Sequence, residues 1–446
     1  MSMTVISLQS VLRSLPENAP EAVVDQHFAT QLLGALGFES EEIHPQYPTG
    51  NRGAVDKAAR KTIGGDIFLY TKSNPHLLVE LKGRDINLSN DAADYQKTVN
   101  QLKQYLLAPN CETAQWGIIT NSCHIQLFRK HGRVIFPATQ CLSLTKENID
   151  EVVASIRKKI EKPAKALTIA VYNNKGGVGK TTTAVNLAAI LTFLGKKVLA
   201  IDFDPNQQDL TSSLGLSLSE NNVYKALTER SVELRTAIQS YSFPLRKANK
   251  ELKFDVIPAD LELAGEAENN LRQLLHSNTL HRKLESFRQE YDYILIDSPP
   301  NWRVFSQLAL YAADVVLIPT KHNNLFSLEN AATAIKKFIP EVQGVKGDGS
   351  PIPLPIFFNG EKITPPQLAA AHKEITEILK VAKKDGFNLL PYFYPKYTNA
   401  KKDLHIPQVP SYANIASSAF ARTPAVYRDR SAHEYYKDLA KEYFLQ

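Results

Sequence analysis

Thr168-Ile-Ala-Val-Tyr-Asn-Asn-Lys-Gly-Gly-Val-Gly-Lys-Thr-Thr182 is the stretch on which the reading of this chain turns. A β-branched, apolar run leads into glycines, then Lys180 and Thr181, then the helical pattern Ala184-Val-Asn-Leu-Ala-Ala-Ile-Leu191. Strand, loop and helix N-terminus in that order suit a triphosphate, because backbone N–H groups freed by Gly176, Gly177 and Gly179 converge on phosphate oxygens. Lys180 is expected to reach the β- and γ-phosphates, and the Thr181 hydroxyl to sit on Mg²⁺. The whole run from Lys175 through Val178 to Thr182 is the expected binding segment. The pattern G-x-x-x-x-G-K-[ST] departs at its first position, where Asn174 stands, and a second lysine, Lys175, precedes the glycine pair.

Working outward, 446 residues are too many for one ordinary core and favour two or three domains. A hydrophobic fraction of 43% and a charged fraction of 22% are those of a globular chain. The net charge of +6 permits nucleic-acid binding without demanding it. Cys111, Cys123 and Cys141 form no CxxC pair, so neither a zinc site nor a disulfide framework is expected. Arg13 and Glu17 interrupt any apolar leader, and no segment has the apolar length to span a bilayer. The expectation is a soluble, cytoplasmic protein with no membrane contact.

Toward the N-terminus, Ala22 to Leu36 has helical spacing (Val24, Phe28, Leu32, Leu33, Leu36) and stops at Gly37. A polar loop is expected from there to Ile63. Gly65–Tyr70 and His76–Lys82 then read as two strands around a Thr-Lys-Ser-Asn-Pro turn. Glu80 and Lys82 alternate onto one face, and a hairpin would bring Asp66 beside them. Two carboxylates suit Mg²⁺, and a lysine suits a phosphodiester transition state. On those three residues alone, an amphipathic hairpin with a solvated charged face reads equally well. A helix follows from Asp91 to Ala108, with Gln101 and Tyr105 as i,i+4 neighbours. Strands are expected at Trp116-Gly-Ile-Ile-Thr-Asn and at His124–Arg129.

Asp66, Glu80-x-Lys82, Gln101-x-x-x-Tyr105 and the Trp-Gly-x-x-Thr-Asn strand, in that order, resemble the PD-(D/E)xK nuclease fold. The variety most similar is the N-terminal nuclease domain of type I restriction subunits, over roughly residues 15 to 140. The resemblance implies Asp66 and Glu80 as metal ligands, Lys82 and Gln101 as catalytic residues, and Glu21, or else Asp25, as a helical acid assisting the metal. Gly65 stands where the motif usually has proline. Asn148 to Ile160 reads as a closing helix running into Arg157-Lys-Lys-Ile-Glu-Lys-Pro163, a phosphate contact or a solvated helix end. The expected organisation is a first domain over 1–158, a linker over 159–166 and a second domain over 167–446.

In the second domain, Lys197–Asp202 and Tyr293–Asp297 are apolar strands ending in acids, and Val315–Pro319 and Ile356–Asn359 are further strands. Strands delivering Asp202, Asp204 and Asp297 beside a phosphate loop give the α/β nucleotide-binding arrangement. The expected fold class is therefore α/β throughout, a restriction-endonuclease-like domain followed by a P-loop, mostly parallel-sheet ATPase domain. Lys175-Gly-Gly-Val-Gly-Lys-Thr-Thr182, Asp202-x-Asp204-Pro and Tyr-Ile-Leu-Ile-Asp297-Ser-Pro-Pro resemble the ParA/MinD family of deviant P-loop ATPases. That resemblance implies ATP and Mg²⁺ as cofactors and a homodimer formed on ATP binding, with Lys175 reaching the partner's phosphates. By the same likeness Asp204 positions the attacking water, Asp202 and Asp297 order the metal's water shell, and Asn359 contacts adenine. Where the family has Pro-Gln-Gly-Asn this chain has Pro205-Asn-Gln-Gln208, so slow or partner-stimulated hydrolysis is expected.

The C-terminal part reads as a helix over Pro366–Lys384, an aromatic strand Leu389–Tyr394 and a basic run. Lys396, Lys401, Lys402, Arg422, Arg428 and Arg430 against Asp403 and Asp429 suit DNA or a solvated periphery equally well. Together the two constellations suggest ATP-controlled cleavage of nucleic acid, duplex DNA, in prokaryotic defence, with a regulatory protein as a further partner. The alternatives are a partition or positioning ATPase whose first domain grips DNA or cargo without cutting, and a nucleotide switch that recruits a separate effector.

Overall fold

The computed structural model describes residues 7–50, 53–90, 92–245, 250–395, 405–411, 415 and 417–446. Asp91, Lys396, Lys401, Lys402 and Asp403, invoked above, lie outside them. The chain divides between Pro163 and Ala164 into two compact units, each mixing helices and strands. Among the described residues, no helix is long and apolar enough to cross a membrane.

Among its described residues the first unit carries seven strands: β1 (Ile43–Pro48), β2 (Ala54–Ala59), β3 (Leu77–Leu81), β4 (Trp116–Thr120), β5 (His124–His131), β6 (Val134–Pro137) and β7 (Leu142–Ser143). They form one sheet in the order β1-β2-β3-β4-β5-β6, with β7 beside β5. Only β3 and β4 run parallel, with Glu80 opposite Ile119. The N-terminal helical segment spans Glu21–Ala35 with a π turn at Asp25–Ala29, and buries Val24, Phe28, Leu32 and Leu33. It stops at Gly37, whose φ of 97° belongs to glycine. The helix Ala93–Leu106 buries Tyr95, Val99, Leu102 and Leu106.

Three expectations fail here. The segment before Ile63 is no loop: it holds the antiparallel pair β1–β2, so the strand paired with β3 is β2, with Lys57 opposite Val79. Gly65–Tyr70 is no strand either. Gly64 and Gly65, both at positive φ, make a tight turn closed by the Asp66 N–H on the Ile63 carbonyl, and Phe68–Thr71 is one helical turn. Phe68 is fully buried there, stacked 5.8 Å from the Tyr47 ring, which anchors the turn against β1 instead of in the sheet. The closing helix runs from Ile149 to Glu161, so Lys159–Glu161 is helix and not linker.

The second unit carries β8 (Leu167–Val171), β9 (Val198–Asp202), β10 (Gln239–Leu245), β11 (Lys250–Ile257), β12 (Tyr293–Asp297), β13 (Val315–Leu317), β14 (Pro319–Thr320), β15 (Ile352–Pro353), β16 (Phe357–Gly360) and β17 (Gln408–Pro410). The main sheet has the order β10-β11-β9-β12-β8-β13-β15, parallel except for β10 at its edge. Fully buried parallel strands read as unbroken apolar runs, as Tyr-Ile-Leu-Ile does in β12. A second, three-stranded parallel sheet, β14-β16-β17, continues past the end of β13. The single run expected over Val315–Pro319 is thus split between two sheets at Ile318.

The helix Lys180–Phe193 is buried on nearly every side, consistent with its small, apolar sequence. At the N-terminal end of β8 a buried ion pair fixes the strand. Asp314 accepts from Arg288 (2.7 Å) and, on its other oxygen, from the Thr168 N–H (2.9 Å). Leu389–Tyr394 is not a strand, because Pro391 falls in the first turn of a short helix, Leu390–Phe393, that buries Phe393 completely. Arg422, Arg428 and Arg430 are exposed, and the Asp429 carboxylate caps the helix Arg430–Tyr443 through the Ala432 N–H.

Candidate functional site

In the second unit the phosphate-type loop leaves β8 and ends at Gly179, whose φ of 81° starts the helix Lys180–Phe193. A Cβ at Gly179 would lie 2.2 Å from the Asn359 amide nitrogen, so only glycine lets that side chain approach. The Asn359 amide donates to the carbonyls of Val178 and Gly179 (both 3.1 Å) and lies 3.2 Å from the Thr183 hydroxyl. It is buried and its N–H₂ group is spent on the loop. Here the Asn359 amide holds the loop, and its expected contact with adenine stays an expectation.

Lys180 is buried with its ammonium donating to the Lys175 carbonyl (3.2 Å). Burial lowers its pKa against the opposing charges of Asp297, Asp204 and Asp209. Asp202 and Asp297 end adjacent strands in direct register, which sets two carboxylates side by side below the loop. Asp202 accepts from the Thr211 N–H (2.9 Å) and hydroxyl (2.7 Å), and burial raises it to about 6. Asp297, fully buried, is raised to about 8, first by burial and then by the charge of Asp202, against a hydrogen bond from Thr181. Asp204 accepts from the Gln207 N–H (3.2 Å), and burial raises it too.

One Asp297 oxygen is buried without a hydrogen-bond partner. A carboxylate oxygen without a hydrogen-bond partner among the described residues, beside the Thr181 hydroxyl and a lysine at the helix N-terminus, suits a hydrated cation carried by a polyphosphate. Among the described residues no three His, Cys, Asp or Glu side chains are grouped to hold a metal unaided. Mg²⁺ would therefore take its remaining ligands from phosphate and water, as is its habit. The outer edge of the loop is tied to one helix, Leu325–Thr333. The Asn173 amide donates to the carbonyls of Pro319 (2.9 Å) and Ser327 (3.1 Å), Asn174 reaches Asn330 (3.4 Å), and the Lys175 ammonium lies 5.8 Å from the centre of the Phe326 ring.

In the first unit the structure brings Glu80 and Lys82 together as expected. The Lys82 ammonium donates to Glu80 (2.5 Å) and to the Leu81 carbonyl (2.8 Å), with Glu21 at 3.7 Å. It does not bring Asp66 to them. Asp66 is bound by Arg60 (2.9 Å), which holds its carboxyl below the usual range and occupies it structurally. The acid beside Glu80 is Asp56, on the neighbouring strand β2, accepting from the Leu81 N–H (2.7 Å) and from Gln46 (3.2 Å). Sequence reading passed over Asp56 because β2 was missed. The signal was the turn-forming pair Gly50 and Gly53 just ahead of Ala-Val-Asp-Lys-Ala-Ala.

Glu80 is raised to about 7, by burial first and then by the charge of Asp56. Burial would lower Lys82, but the hydrogen bond and charge of Glu80, with Glu21 and Asp56, hold it above its ordinary value. Glu21 is raised by burial and by the charges of Asp56 and Asp25, against Lys82. Asp25 instead pairs with Lys57 (2.7 Å). A buried carboxylate pushed up by a second carboxylate is a donor set short of a cation, and Mg²⁺ fits it. Gln101 donates to the Tyr105 hydroxyl (3.0 Å) on the helix Ala93–Leu106, which packs on β3 and β4.

Fold and geometry thus define a P-loop α/β nucleotide-binding domain behind an α/β domain with an acid–acid–lysine cluster. Comparison with known families agrees, domain by domain. The family described as "AAA domain" matches residues 166–347, and that described as "Type I restriction enzyme R protein N terminus (HSDR_N)" matches residues 20–136. The sporulation initiation inhibitor protein Soj of Bacillus subtilis is 41% identical over 155 residues, covering 34% of this chain and 57% of Soj. The chromosome partitioning protein ParA of Caulobacter vibrioides is 37% identical over 182 residues, covering 40% of this chain and 63% of ParA. An ATP complex of a Cyanothece McdA variant is similar in structure at 20% identity and a TM-score of 0.49, over 64% of this chain and 98% of that one. The second unit is thus similar to the ParA and Soj proteins, and the first to the N-terminal part of type I restriction enzymes. The chain spans about three-fifths of the length of these curated relatives.

Proposed function

We propose that this chain is an ATP-binding and hydrolysing switch that pairs in its ATP state and thereby controls a Mg²⁺-dependent nuclease site acting on duplex DNA, in prokaryotic defence against foreign DNA. The single observation that carries the nuclease reading is Glu80, buried, hydrogen-bonded to Lys82 and flanked by Asp56. Asp56 and Glu80, with Glu21 alongside, would hold Mg²⁺, which would supply activation of water and neutralisation of phosphate charge. Lys82, kept protonated by Glu80, offers its ammonium to the oxygen on which charge builds during phosphodiester cleavage. By the resemblance Gln101, on the helix that packs on β3 and β4, is the further catalytic residue.

In the second unit Lys180 exchanges the Lys175 carbonyl for the β- and γ-phosphates of ATP. Thr181 and Asp297, with Asp202, are the residues that would hold Mg²⁺ and order its water. Asp204, steadied by the Gln207 N–H, orients the attacking water. Lys175 extends to the phosphates of a second copy. Pairing of two copies brings two nuclease units to one duplex, which needs one cut in each strand.

The test is plasmid digestion with Mg²⁺, with and without ATP, comparing wild type with Glu80→Ala. The expected result is ATP-dependent nicking or linearisation lost in the variant, and identical digestion by both removes the nuclease. The likeness to Soj and ParA favours one other reading, a partition-type ATPase whose first unit grips DNA or cargo. It predicts ATP-dependent DNA binding, no nicks, and a silent Lys82→Ala.

A further inference from the structure

Three consecutive residues, Asn173, Asn174 and Lys175, contact Ser327, Asn330 and Phe326 of the helix Leu325–Thr333. The first two contacts are hydrogen bonds and are buried or nearly so. The third differs in kind, because the Lys175 ammonium lies over a ring that is 63% exposed. Phe326 makes no contribution to the hydrophobic core, so ordinary packing does not explain a large aromatic side chain at that place. Its backbone is nonetheless fixed. The Asn330 amide donates to the Phe326 carbonyl (2.7 Å) while the Asn330 oxygen accepts from Asn174, so ring and loop are tied through one side chain. The helix start is fixed by Asn324, which accepts from the Ser327 N–H (3.0 Å).

We propose that Phe326 is the positioning residue for Lys175. Its ring keeps the ammonium at the outer rim of the loop, away from the phosphates that Lys180 serves, and presents it to those of a second copy. This rests on the reading of Lys175 as the lysine that acts on a partner copy. A cation over an exposed aromatic face is weakly held, so the ring orients the lysine without trapping it.

Two measurements test it on the full chain. In reductively ¹³C-methylated protein, the Lys175 resonance, assigned by its loss in Lys175→Arg, is expected upfield-shifted by the ring current. Phe326→Leu should remove that shift and Phe326→Trp retain it. ATP-dependent self-association, followed by light scattering, should weaken about two- to five-fold in Phe326→Leu. ADP affinity should stay unchanged, which a general loosening of the loop would not allow. An unshifted Lys175 resonance in wild type, or equal or tighter self-association of Phe326→Leu, overturns the proposal. A wild type that never self-associates with ATP defeats the pairing reading instead, while the methyl resonance still decides whether ring and lysine meet.

Discussion

The carboxylate of Asp56 accepts a 2.7 Å hydrogen bond from the backbone N–H of Leu81, the residue between Glu80 and Lys82. That bond locks an acid from β2 against the strand that carries the other two members of the cluster, and the charge of Asp56 reaches Glu80. The arrangement is set by strand pairing and does not depend on long, mobile side chains.

Asp56→Ala should therefore abolish Mg²⁺-dependent plasmid cleavage as completely as Glu80→Ala. Asp66→Asn should leave cleavage within about two-fold of wild type, since its partner is Arg60. A cleavage defect confined to Asp66→Asn would return the metal to the residue first suspected.

Glu80 also predicts a pH signature. Its folded value of about 7 exceeds the ordinary 4.5, so the folded state binds this proton more tightly than the unfolded chain. The stabilisation is complete below about 4.5 and disappears as pH rises through about 7. With EDTA present, wild-type Tm should fall over that window relative to Glu80→Gln, and added Mg²⁺ should recover it near neutral pH. A difference between the two proteins that stays constant with pH would contradict the burial of a titrating Glu80.

Asn359→Ala leaves two loop carbonyls without their donor. Loss of about 1–3 kcal/mol is expected, roughly five- to 160-fold in ATP and ADP affinity by calorimetry. The preference for ATP over GTP should not change, because the amide is engaged with the loop; a selective loss of adenine nucleotides would restore the base contact.

Arg288→Met removes the ion-pair partner of the buried Asp314 carboxylate and leaves it the Thr168 N–H and the charge of Lys346. Breaking such a pair costs about 3–5 kcal/mol, to be read as a fall in the urea midpoint of the second unit. The double variant Arg288→Met/Asp314→Asn should recover part of it.

The readable parts of this chain were those where one residue type has one physical use. Glycines before Lys180-Thr181, and Asp202 and Asp297 closing apolar runs, could hardly mark anything but strand ends at a phosphate loop. β2 was hidden because Ala-Val-Asp-Lys-Ala-Ala has almost no β-branched residues; its burial comes from neighbours on both sides, a tertiary effect. Ile-Phe-Leu-Tyr near residue 68 showed the opposite, strong strand propensity overridden by two positive-φ glycines and one deep aromatic anchor. Asn359 sat correctly at a strand end, but which neighbour its amide would serve depended on a loop far away in sequence.

The strand β16 that carries Asn359 is itself hydrogen-bonded on one side by β17, Gln408–Pro410. Both lie beyond residue 347, where the match to the ATPase family ends. A protein shortened to that recognisable stretch would keep every motif residue of the cradle except the one that braces it from below, so sequence likeness marks a smaller object than the one able to grip a nucleotide.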